Sequence, residues 1–332
     1  MILVTGGTGL LGSHLLFKLT EKNSRIKALF RNEKKIEVVR RLFIYYDPLN
    51  GQKRFDTIEW VLCDVLDVIN LHETMVDCQY VYHCAAIVSF QKRDFFAMMK
   101  TNRQGTANIV NSCLENGILK LCYVSSTAAI GGEGEVSISE ETKWKQSPQT
   151  SGYSITKYSA EKEVWRGVEE GLDVVIVNPC VIIGAGDWNE SSLTIFKTIA
   201  SGLTFYTNGA NAFVDVRDVS DIMVQLMESA IKNERFLCIG ENNSFKNLFD
   251  LIALKLSKKA PSVLIKPWLM GITWRFIWLF TTLLGKKSAI TRETARSAFG
   301  TTIYDSSKIK KQLNFQFRSL NEMVENAIKG RM

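Results

Sequence analysis

Apolar and polar positions along the chain follow two different periods. Short, nearly continuous apolar runs, such as residues 1–5 and 173–178, are typical of strands buried on both faces of a parallel sheet. Apolar residues three and four positions apart, as at Leu15, Leu16 and Leu19, predict amphipathic helices. The predicted strands are 1–5, 26–31, 58–63, 79–85, 120–126, 173–178 and 236–239, and the predicted helices are 10–22, 67–76, 94–116 and 152–170. Their alternation predicts an α/β fold with helices on both faces of a parallel sheet.

A glycine-rich turn separates the first predicted strand from the first predicted helix. Its glycines fit G-x-x-G-x-x-G through Gly6, Gly9 and Gly12, and also G-x-G-x-x-G through Gly7, Gly9 and Gly12. Glycines allow a tight turn and let the backbone approach a pyrophosphate at the helix N-terminus. Because the motif lies between a strand and a helix, it favours a dinucleotide site over a tight turn without a ligand.

A tyrosine and a lysine lie four residues apart in the predicted helix 152–170, as Tyr153 and Lys157. This spacing is about one helical turn, so both side chains share a helix face. An ammonium group beside a phenol favours the phenolate, so the pair predicts an acid/base centre with a lowered phenol pKa. The spacing alone also occurs by chance, and the upstream glycine motif gives it weight.

Composition and charge narrow the functional class. The 332 residues, 46% of them hydrophobic, can bury a core for one large or two interlocked domains. The net charge of +7 is spread along the chain without a basic tail, so no nucleic-acid partner is expected. Seven cysteines without a C-x-x-C pair predict a reducing, cytoplasmic environment and no disulfide framework. His14, His72 and His83 form no cluster in the sequence, so no metal is expected. Because a predicted strand begins at residue 1, no signal peptide is expected.

An ordered set of motifs extends over almost the whole chain. It comprises TGGTGLLG at the N-terminus, CDVLD (63–67), HCAA (83–86), TNRQGT (101–106), VSST (124–127), YSITK (153–157), NPCVIIGAGD (178–187) and FVDVRDVSD (213–221). In this order the motifs resemble those of the extended short-chain dehydrogenase/reductase family, also described as the NAD(P)-dependent epimerase/dehydratase family. The segment NPCVIIGAGDWN lacks the Arg-Pro start of many sugar-nucleotide enzymes and is similar to the branch of dihydroflavonol reductases and 3β-hydroxysteroid dehydrogenases.

The resemblance implies a doubly wound Rossmann sheet with a smaller, mostly helical C-terminal substrate domain. The NAD(P)-binding Rossmann domain would comprise residues 1–183 and 213–242. The substrate-binding cap would comprise residues 184–212 and 243–332.

The same resemblance implies roles for individual residues. Tyr153 would be the general acid/base, Lys157 would lower its pKa and hold the nicotinamide ribose, and Asn102 would help to hold the site together. Thr127 would bind the substrate oxygen, with Ser126 as the alternative, because successive strand residues point to opposite faces. The implied cofactor-binding residues are Gly6, Thr8, Gly9, Leu10, Leu11, Gly12, Arg31, Asp64, Val65, Ala85, Ala86, Lys157, Pro179 and Val181.

The end of the second predicted strand bears on the choice of cofactor. Enzymes that use NAD typically place an acidic residue there, whereas a 2′-phosphate calls for arginine. Phe30 is followed by Arg31, Asn32, Lys34 and Lys35, without an acid at the strand end. We therefore expect NADP in preference to NAD, with Arg31 on the 2′-phosphate or stacked over the adenine. The alternative is that Arg31 and the lysines form a solvated loop face.

Aromatic residues suggest the character of the substrate. Phe90, Trp188, Phe205 and Tyr206 are candidates for a hydrophobic pocket, although such residues more often fill a core. They favour an apolar small molecule over a charged diphosphate.

The segment 267–287 carries three tryptophans and two phenylalanines and ends with two lysines. It predicts a core or dimer-contact helix, a lid over an apolar substrate, or a helix lying on a membrane surface. Arg275 near its centre argues against a membrane span. The family resemblance also implies a homodimer formed through helices near 94–116 and 152–170.

Together these observations predict an NADP-preferring oxidoreductase that reduces a ketone or oxidises a secondary alcohol on a fairly apolar small molecule. A nucleotide-sugar epimerase or dehydratase with tightly held NAD is the first alternative, because it uses the same residues. A non-catalytic dinucleotide sensor is the second alternative, and the retained Tyr153, Lys157 and Thr127 argue against it.

Overall fold

A parallel sheet lies at the centre of the chain. The computed structural model describes residues 1–22, 25–131, 137–148, 150–269 and 291–332. The strands of the sheet are β1 (Ile2–Thr5), β2 (Ile26–Phe30), β3 (Ile58–Leu62), β4 (Tyr80–His83), β5 (Lys120–Val124), β6 (Val174–Pro179) and β10 (Glu234–Cys238). Among the described residues these seven parallel strands follow the order β3-β2-β1-β4-β5-β6-β10. The order reverses between β1 and β4, which creates a crevice at their carboxyl ends.

Helices cover both faces of this sheet. One face is covered by α1 (Leu10–Thr20) through its leucines, and by α9 (Val216–Glu228) through its valines and an isoleucine. Apolar side chains of α4 (Val68–Met75), α6 (Gly105–Glu115) and α7 (Gly152–Glu169) pack on the other. The remaining helices of this region are α2 (Ile36–Tyr46), α3 (Gly51–Phe55) and α5 (Phe95–Met98), which a π-helical turn (Met99–Gln104) joins to α6.

A second group of elements surrounds a smaller sheet. Its strands are β7 (Val181–Ile183), β9 (Ala210–Asp215) and β11 (Glu241–Ser244), in the order β11-β9-β7. Helices α8 (Thr194–Ala200), α10 (Phe245–Lys255) and α13 (Leu320–Lys329) share a core with this sheet. The short pair β8 (Phe205–Tyr206) and β12 (Val263–Leu264), with helices α11 (Arg292–Ser297) and α12 (Ser307–Leu313), completes the group.

The predicted fold class is confirmed, and each predicted strand lies within two residues of an observed one at both ends. The boundaries of the two domains stay a prediction. Helix α12 lies within the predicted cap, yet its Ile309 belongs to the core of the large sheet. The C-terminal part of the chain therefore also contributes to the first unit.

None of the helices that the structure describes is long and apolar enough to cross a membrane. Most of the aromatic segment 267–287, residues 270–287, lies outside the described residues. Its three interpretations therefore stay predictions.

Candidate active site

Two glycines of the turn between β1 and α1 have no room for a side chain. Gly6 has a φ of +68°, and a Cβ there would lie 2.7 Å from the Ala85 nitrogen. A Cβ at Gly12 would lie 2.1 Å from the carbonyl oxygen of Gly6. Helix α1 therefore begins in close contact with the preceding turn, which is the arrangement of a pyrophosphate-binding turn.

The N-terminus of α1 offers polar groups to a ligand. Gly9 occupies the N-cap position without a side-chain cap, and the first turn contains no acidic residue. Amides at the start of a helix have no acceptors within the helix, so those of Leu10, Leu11 and Gly12 are available to an anion. With Thr8 in the adjoining turn, these groups fit the pyrophosphate of a dinucleotide.

Arg31 and Asp64 lie at the carboxyl ends of β2 and β3. Their Nη1 and Oδ2 atoms are 3.4 Å apart, and 56% and 39% of the two side chains are exposed. Because exposed ion pairs contribute little to stability, Arg31 can turn toward a phosphate at small cost. The neighbouring Val65 is buried, and its carbonyl oxygen accepts a hydrogen bond from Asn108 at 3.0 Å.

The other predicted cofactor residues lie along the same edge of the sheet. Ala85 follows β4 and donates its backbone N–H to the Thr5 hydroxyl at 3.2 Å, while Ala86 is exposed. Pro179 ends β6 and Val181 begins β7. These positions all lie near the carboxyl ends of strands, where ligands bind to such sheets.

Tyr153 lies in the first turn of α7 with its ring against Phe90, at 5.9 Å between centroids. Burial raises the pKa of its phenol to about 12, although hydrogen bonding with Ser126 opposes the rise. At neutral pH the phenol is therefore protonated and can donate a proton. The effect of Lys157 on this pKa therefore stays a prediction, since burial and Ser126 are the causes seen here.

Lys157 lies one turn further along α7 and is 2% exposed. Its Nζ donates to the Tyr123 hydroxyl and to the Val124 carbonyl oxygen, both at 2.9 Å. Burial lowers its pKa to about 8, while Glu161 and Cys84 act to raise it. The ammonium group thus bonds to the end of β5 and not to the phenol of Tyr153.

Ser126 and Thr127, which follow β5, do not continue the strand as expected. Ser126 caps a 3-10 turn over Thr127–Ala129, so these residues do not alternate as in a strand. The Ser126 hydroxyl interacts with Tyr153, whereas the Thr127 hydroxyl interacts with Tyr304. Thr127 was preferred because it aligns with the family motif, and its role stays a prediction. The structure brings the alternative, Ser126, to the phenol.

Asn102 joins two parts of the site. It lies in the π-helical turn and is 1% exposed. Its Nδ2 donates to the Ile87 carbonyl oxygen at 2.9 Å and to the Thr156 hydroxyl at 3.0 Å, and its Oδ1 accepts from the Ile87 N–H at 2.7 Å. The loop after β4 is therefore tied to α7 at the residue that precedes Lys157.

Three residues near Lys157 were not predicted to belong to the site: Glu161, Asn178 and Arg235. Glu161 is 2% exposed and lies four residues after Lys157, and its carboxylate contacts both Asn178 and Arg235. The spacing that linked Tyr153 to Lys157 applies equally to Lys157 and Glu161, and it could have identified this carboxylate. Arg235 lies on β10, and no local pattern relates it to the site.

The aromatic candidates fall into different environments. Trp188 is 3% exposed and packs in the core of the second unit, whereas 51% of Phe205 is exposed. Phe90 contacts Tyr153 and lines a cavity of about 260 Å³. The other lining residues include four apolar side chains and four polar or charged ones; they are Ser89, Gln91, Lys92, Phe95, Phe96, Met98, Gly152, Ile155 and Glu293. A partly apolar space therefore adjoins the start of α7.

The chain is similar to several known proteins. Residues 2–240 match the model of the NAD dependent epimerase/dehydratase family. The chain is 28% identical over 335 residues to the Synechocystis sp. protein named "Putative dihydroflavonol 4-reductase", covering 98% of this chain and 92% of the relative. The crystal structure of gox2253 superposes with a TM-score of 0.80 and 27% identity, over 99% of this chain and 97% of that one. UDP-glucose 4-epimerase from Thermotoga maritima, solved with UDP-glucose, has a TM-score of 0.76 at 19% identity, over 99% and 97% of the two chains.

Proposed function

Since the chain belongs to the NAD dependent epimerase/dehydratase family, we propose that it reduces a ketone, or oxidises the matching secondary alcohol, on a fairly apolar small molecule. It is an NAD(P)-dependent enzyme of the extended short-chain dehydrogenase/reductase type. The observation that carries the proposal is the buried phenol of Tyr153, which is protonated at neutral pH and bonded to Ser126. A protonated donor in this crevice suits the reduction of a carbonyl group.

The proposed roles follow from the contacts of each side chain. When bound, the nicotinamide cofactor supplies or accepts the hydride. Tyr153 donates the proton to the substrate oxygen in reduction and removes it in oxidation. Ser126 orients the phenol, and Thr127 remains the candidate for holding the substrate oxygen. Lys157 provides a positive charge beside the ribose and the developing alkoxide.

An apolar substrate is supported by the surroundings of Tyr153. Its ring packs against Phe90, and half of the residues that line the adjoining cavity are phenylalanine, methionine or isoleucine. The name of the Synechocystis sp. relative refers to a dihydroflavonol, an aromatic molecule that carries a ketone. We therefore propose a ring-bearing ketone as the substrate class.

We propose a preference for NADP because Arg31 lies at the carboxyl end of β2. Arg31→Ala should weaken NADPH binding about tenfold or more and leave NADH binding nearly unchanged, because only NADPH carries the 2′-phosphate. Titration of the intrinsic tryptophan fluorescence measures both affinities. The matched control is Arg25→Ala, since Arg25 is exposed at the opposite, amino end of β2. Equal losses for both cofactors, or a wild-type preference for NADH, would contradict the assignment.

A nucleotide-sugar epimerase or dehydratase is the second candidate. The likeness to UDP-glucose 4-epimerase supports the shared fold, and Tyr153 and Lys157 could serve either chemistry. The two candidates differ in cofactor turnover, because an epimerase returns the hydride to its substrate and consumes no NADPH. A non-catalytic sensor would show neither activity.

The deciding experiment measures NADPH oxidation at 340 nm with two sets of compounds. One set contains apolar cyclic and aromatic ketones, including dihydroflavonols, and the other contains UDP-sugars assayed for epimer formation by NMR. We expect NADPH oxidation with members of the first set and no epimer formation. Epimerised UDP-sugar without net NADPH loss would favour the second candidate instead.

We also propose a homodimer in a reducing, cytoplasmic environment. Contact of the segment 267–287 with a membrane surface stays one of the three predictions for that segment. Phe96, which precedes α6, is 82% exposed, and the region around α6 and α7 is the expected dimer contact. All seven cysteines carry free thiols, which supports a reducing environment. Light scattering after size-exclusion chromatography tests the dimer, and Phe96→Glu should shift it toward monomer.

A further inference from the structure

We propose that Glu161 is a positioning residue, which keeps Lys157 positively charged and holds the backbone that carries Ser126. The inference deepens the proposed function and rests on the role of Lys157 in it. Glu161 lies on α7 one turn beyond Lys157, so both side chains lie on the same helix face.

Glu161 is buried in a network of donors. Its Oε2 accepts hydrogen bonds from the Ser125 hydroxyl at 2.6 Å and from the Asn178 Nδ2 at 2.9 Å. Its Oε1 accepts from the Arg235 Nη1 at 3.1 Å and from the Trp165 Nε1 at 3.3 Å. Four hydrogen-bond donors, one of them a guanidinium group, thus converge on a single buried carboxylate.

The network also fixes the residue that contacts Tyr153. The Nδ2 of Asn178 donates to Glu161 and also to the carbonyl oxygen of Ser126, at 3.0 Å. Ser125, the neighbour of Ser126, is held by its own hydroxyl on the same carboxylate. After β5, Ser125 therefore bonds to Glu161 directly, and Ser126 is linked to Glu161 through the side chain of Asn178.

The charge of Lys157 depends on Glu161 because its other titratable neighbours are neutral. Cys84 after β4 has a pKa raised by burial to about 12, and burial lowers that of His83 on β4 to about 3. On β5, burial raises the pKa of Tyr123 well above its usual value, and on α7 burial raises that of Tyr153 to about 12. Among the described groups around Lys157, the carboxylate of Glu161 therefore provides the negative charge that opposes the effect of burial.

The variant Glu161→Gln removes this charge and keeps the size and hydrogen-bonding capacity of the side chain. The direct readout is the pKa of Lys157, measured by NMR titration of lysine labelled with 13C at Cε and assigned with Lys157→Met. We expect the pKa of Lys157 to fall by roughly one unit or more relative to wild type. Because this measurement uses no substrate, it stays informative even if the proposed reaction is wrong.

The matched control is Glu163→Gln on the same helix. Glu163 pairs with Arg103 at 3.1 Å and with Arg166 at 3.2 Å, away from the β5 end. Glu163→Gln changes the net charge by the same amount as Glu161→Gln. Because the charge lost is not beside Lys157, the pKa of Lys157 should keep its wild-type value. A similar fall in both variants would show an effect of net charge and overturn the specific role of Glu161.

Arg235→Met provides an independent test with the opposite sign. It removes a positive charge that partly neutralises Glu161, so the pKa of Lys157 should rise. If Glu161→Gln fails to fold, this variant alone decides the question. The proposal would be overturned if the pKa of Lys157 equalled the wild-type value in Glu161→Gln and Arg235→Met, or in whichever of the two folds.

The pH dependence of kcat supplies a second readout that a merely structural role would not move. Reduction requires the protonated lysine, so kcat should fall as the pH rises through the pKa of Lys157. In Glu161→Gln this alkaline limb should begin at lower pH. A lowered kcat with an unshifted limb would assign Glu161 a purely structural role and would contradict the charge effect.

Discussion

The turn between β1 and α1 shows how single residues determine the cofactor site. A Cβ at Gly12 would lie 2.1 Å from the Gly6 carbonyl oxygen, whereas one at Gly9 would lie 3.3 Å from the same atom. The first contact requires the backbone to move, and the second needs only a small adjustment. The two glycines belong to one motif, yet the structure gives them different steric roles.

Gly12→Ala is therefore expected to lower the free energy of unfolding by about 1–3 kcal/mol, the usual cost of overpacking, and to abolish dinucleotide binding. Gly9→Ala is the matched control and should cost about 1 kcal/mol or less. Urea denaturation and fluorescence titration with NADPH measure the two effects. Equal destabilisation of both variants would contradict the steric account.

Residue types at the acid/base centre followed from the sequence, but their contacts did not. The spacing of Tyr153 and Lys157 predicted their shared helix. It could not show that the ammonium group bonds to Tyr123 and Val124, because these residues lie on another element. The expectation that Ser126 and Thr127 point to opposite faces assumed a strand, but the strand ends at Val124.

Individual helices and strands position these groups through a few long-range hydrogen bonds. The π-helical turn Met99–Gln104 presents Asn102 to Ile87 and Thr156, and these bonds join three segments of the chain. A wider turn of this kind often marks a functional site.

Asn102→Ala leaves the half-buried backbone N–H and C=O of Ile87 without these partners. We expect the free energy of unfolding to fall by about 2–4 kcal/mol and kcat to fall because α7 is less firmly held. Gln104→Ala, at an exposed position of the same turn, is the control and should stay near wild type. Thermal unfolding and NADPH oxidation are the measurements, and a stable, fully active Asn102→Ala would refute the joining role.

Most strands were predictable because buried strands of a parallel sheet read as apolar runs. Each of the seven predicted runs corresponds to a strand of the large sheet. The three-stranded sheet β11-β9-β7 was missed, since Glu241–Ser244 is polar and pairs with β9 through contacts that no local pattern encodes. The amphipathic helix α2 was not predicted either.

The whole molecule is expected to lose stability in acid because two histidines are buried in neutral form. Burial lowers the pKa of His14 to about 4 and that of His83 to about 3, from 6.5. His83 lies between the hydroxyls of Thr5 at 2.7 Å and Thr106 at 3.0 Å, in the core between β1, β4 and α6. Below pH 6.5 the unfolded chain therefore binds protons that the folded chain does not bind.

The contribution of each histidine to the free energy of unfolding should thus decrease by on the order of a few kcal/mol as the pH falls from about 6.5 toward 4. In His14→Gln this decrease should be smaller than in wild type. Ser13→Ala is the control: Ser13 is buried beside His14 and does not titrate, so its variant should keep the wild-type slope. Urea denaturation across this pH range gives the slopes, and an unchanged slope in His14→Gln would contradict the assignment.

In the proposed reaction the phenol of Tyr153 transfers the proton, while the cofactor binds independently of it. The most direct measurement combines NADPH affinity with the single-turnover rate of hydride transfer in Tyr153→Phe. Tyr158→Phe is the control, because Tyr158 lies on the same helix but stacks on Trp144 at 4.1 Å. We predict a loss of hydride transfer by about 10²–10⁴ in Tyr153→Phe with nearly unchanged NADPH affinity, and wild-type behaviour in the control. Full hydride transfer in Tyr153→Phe would contradict the account.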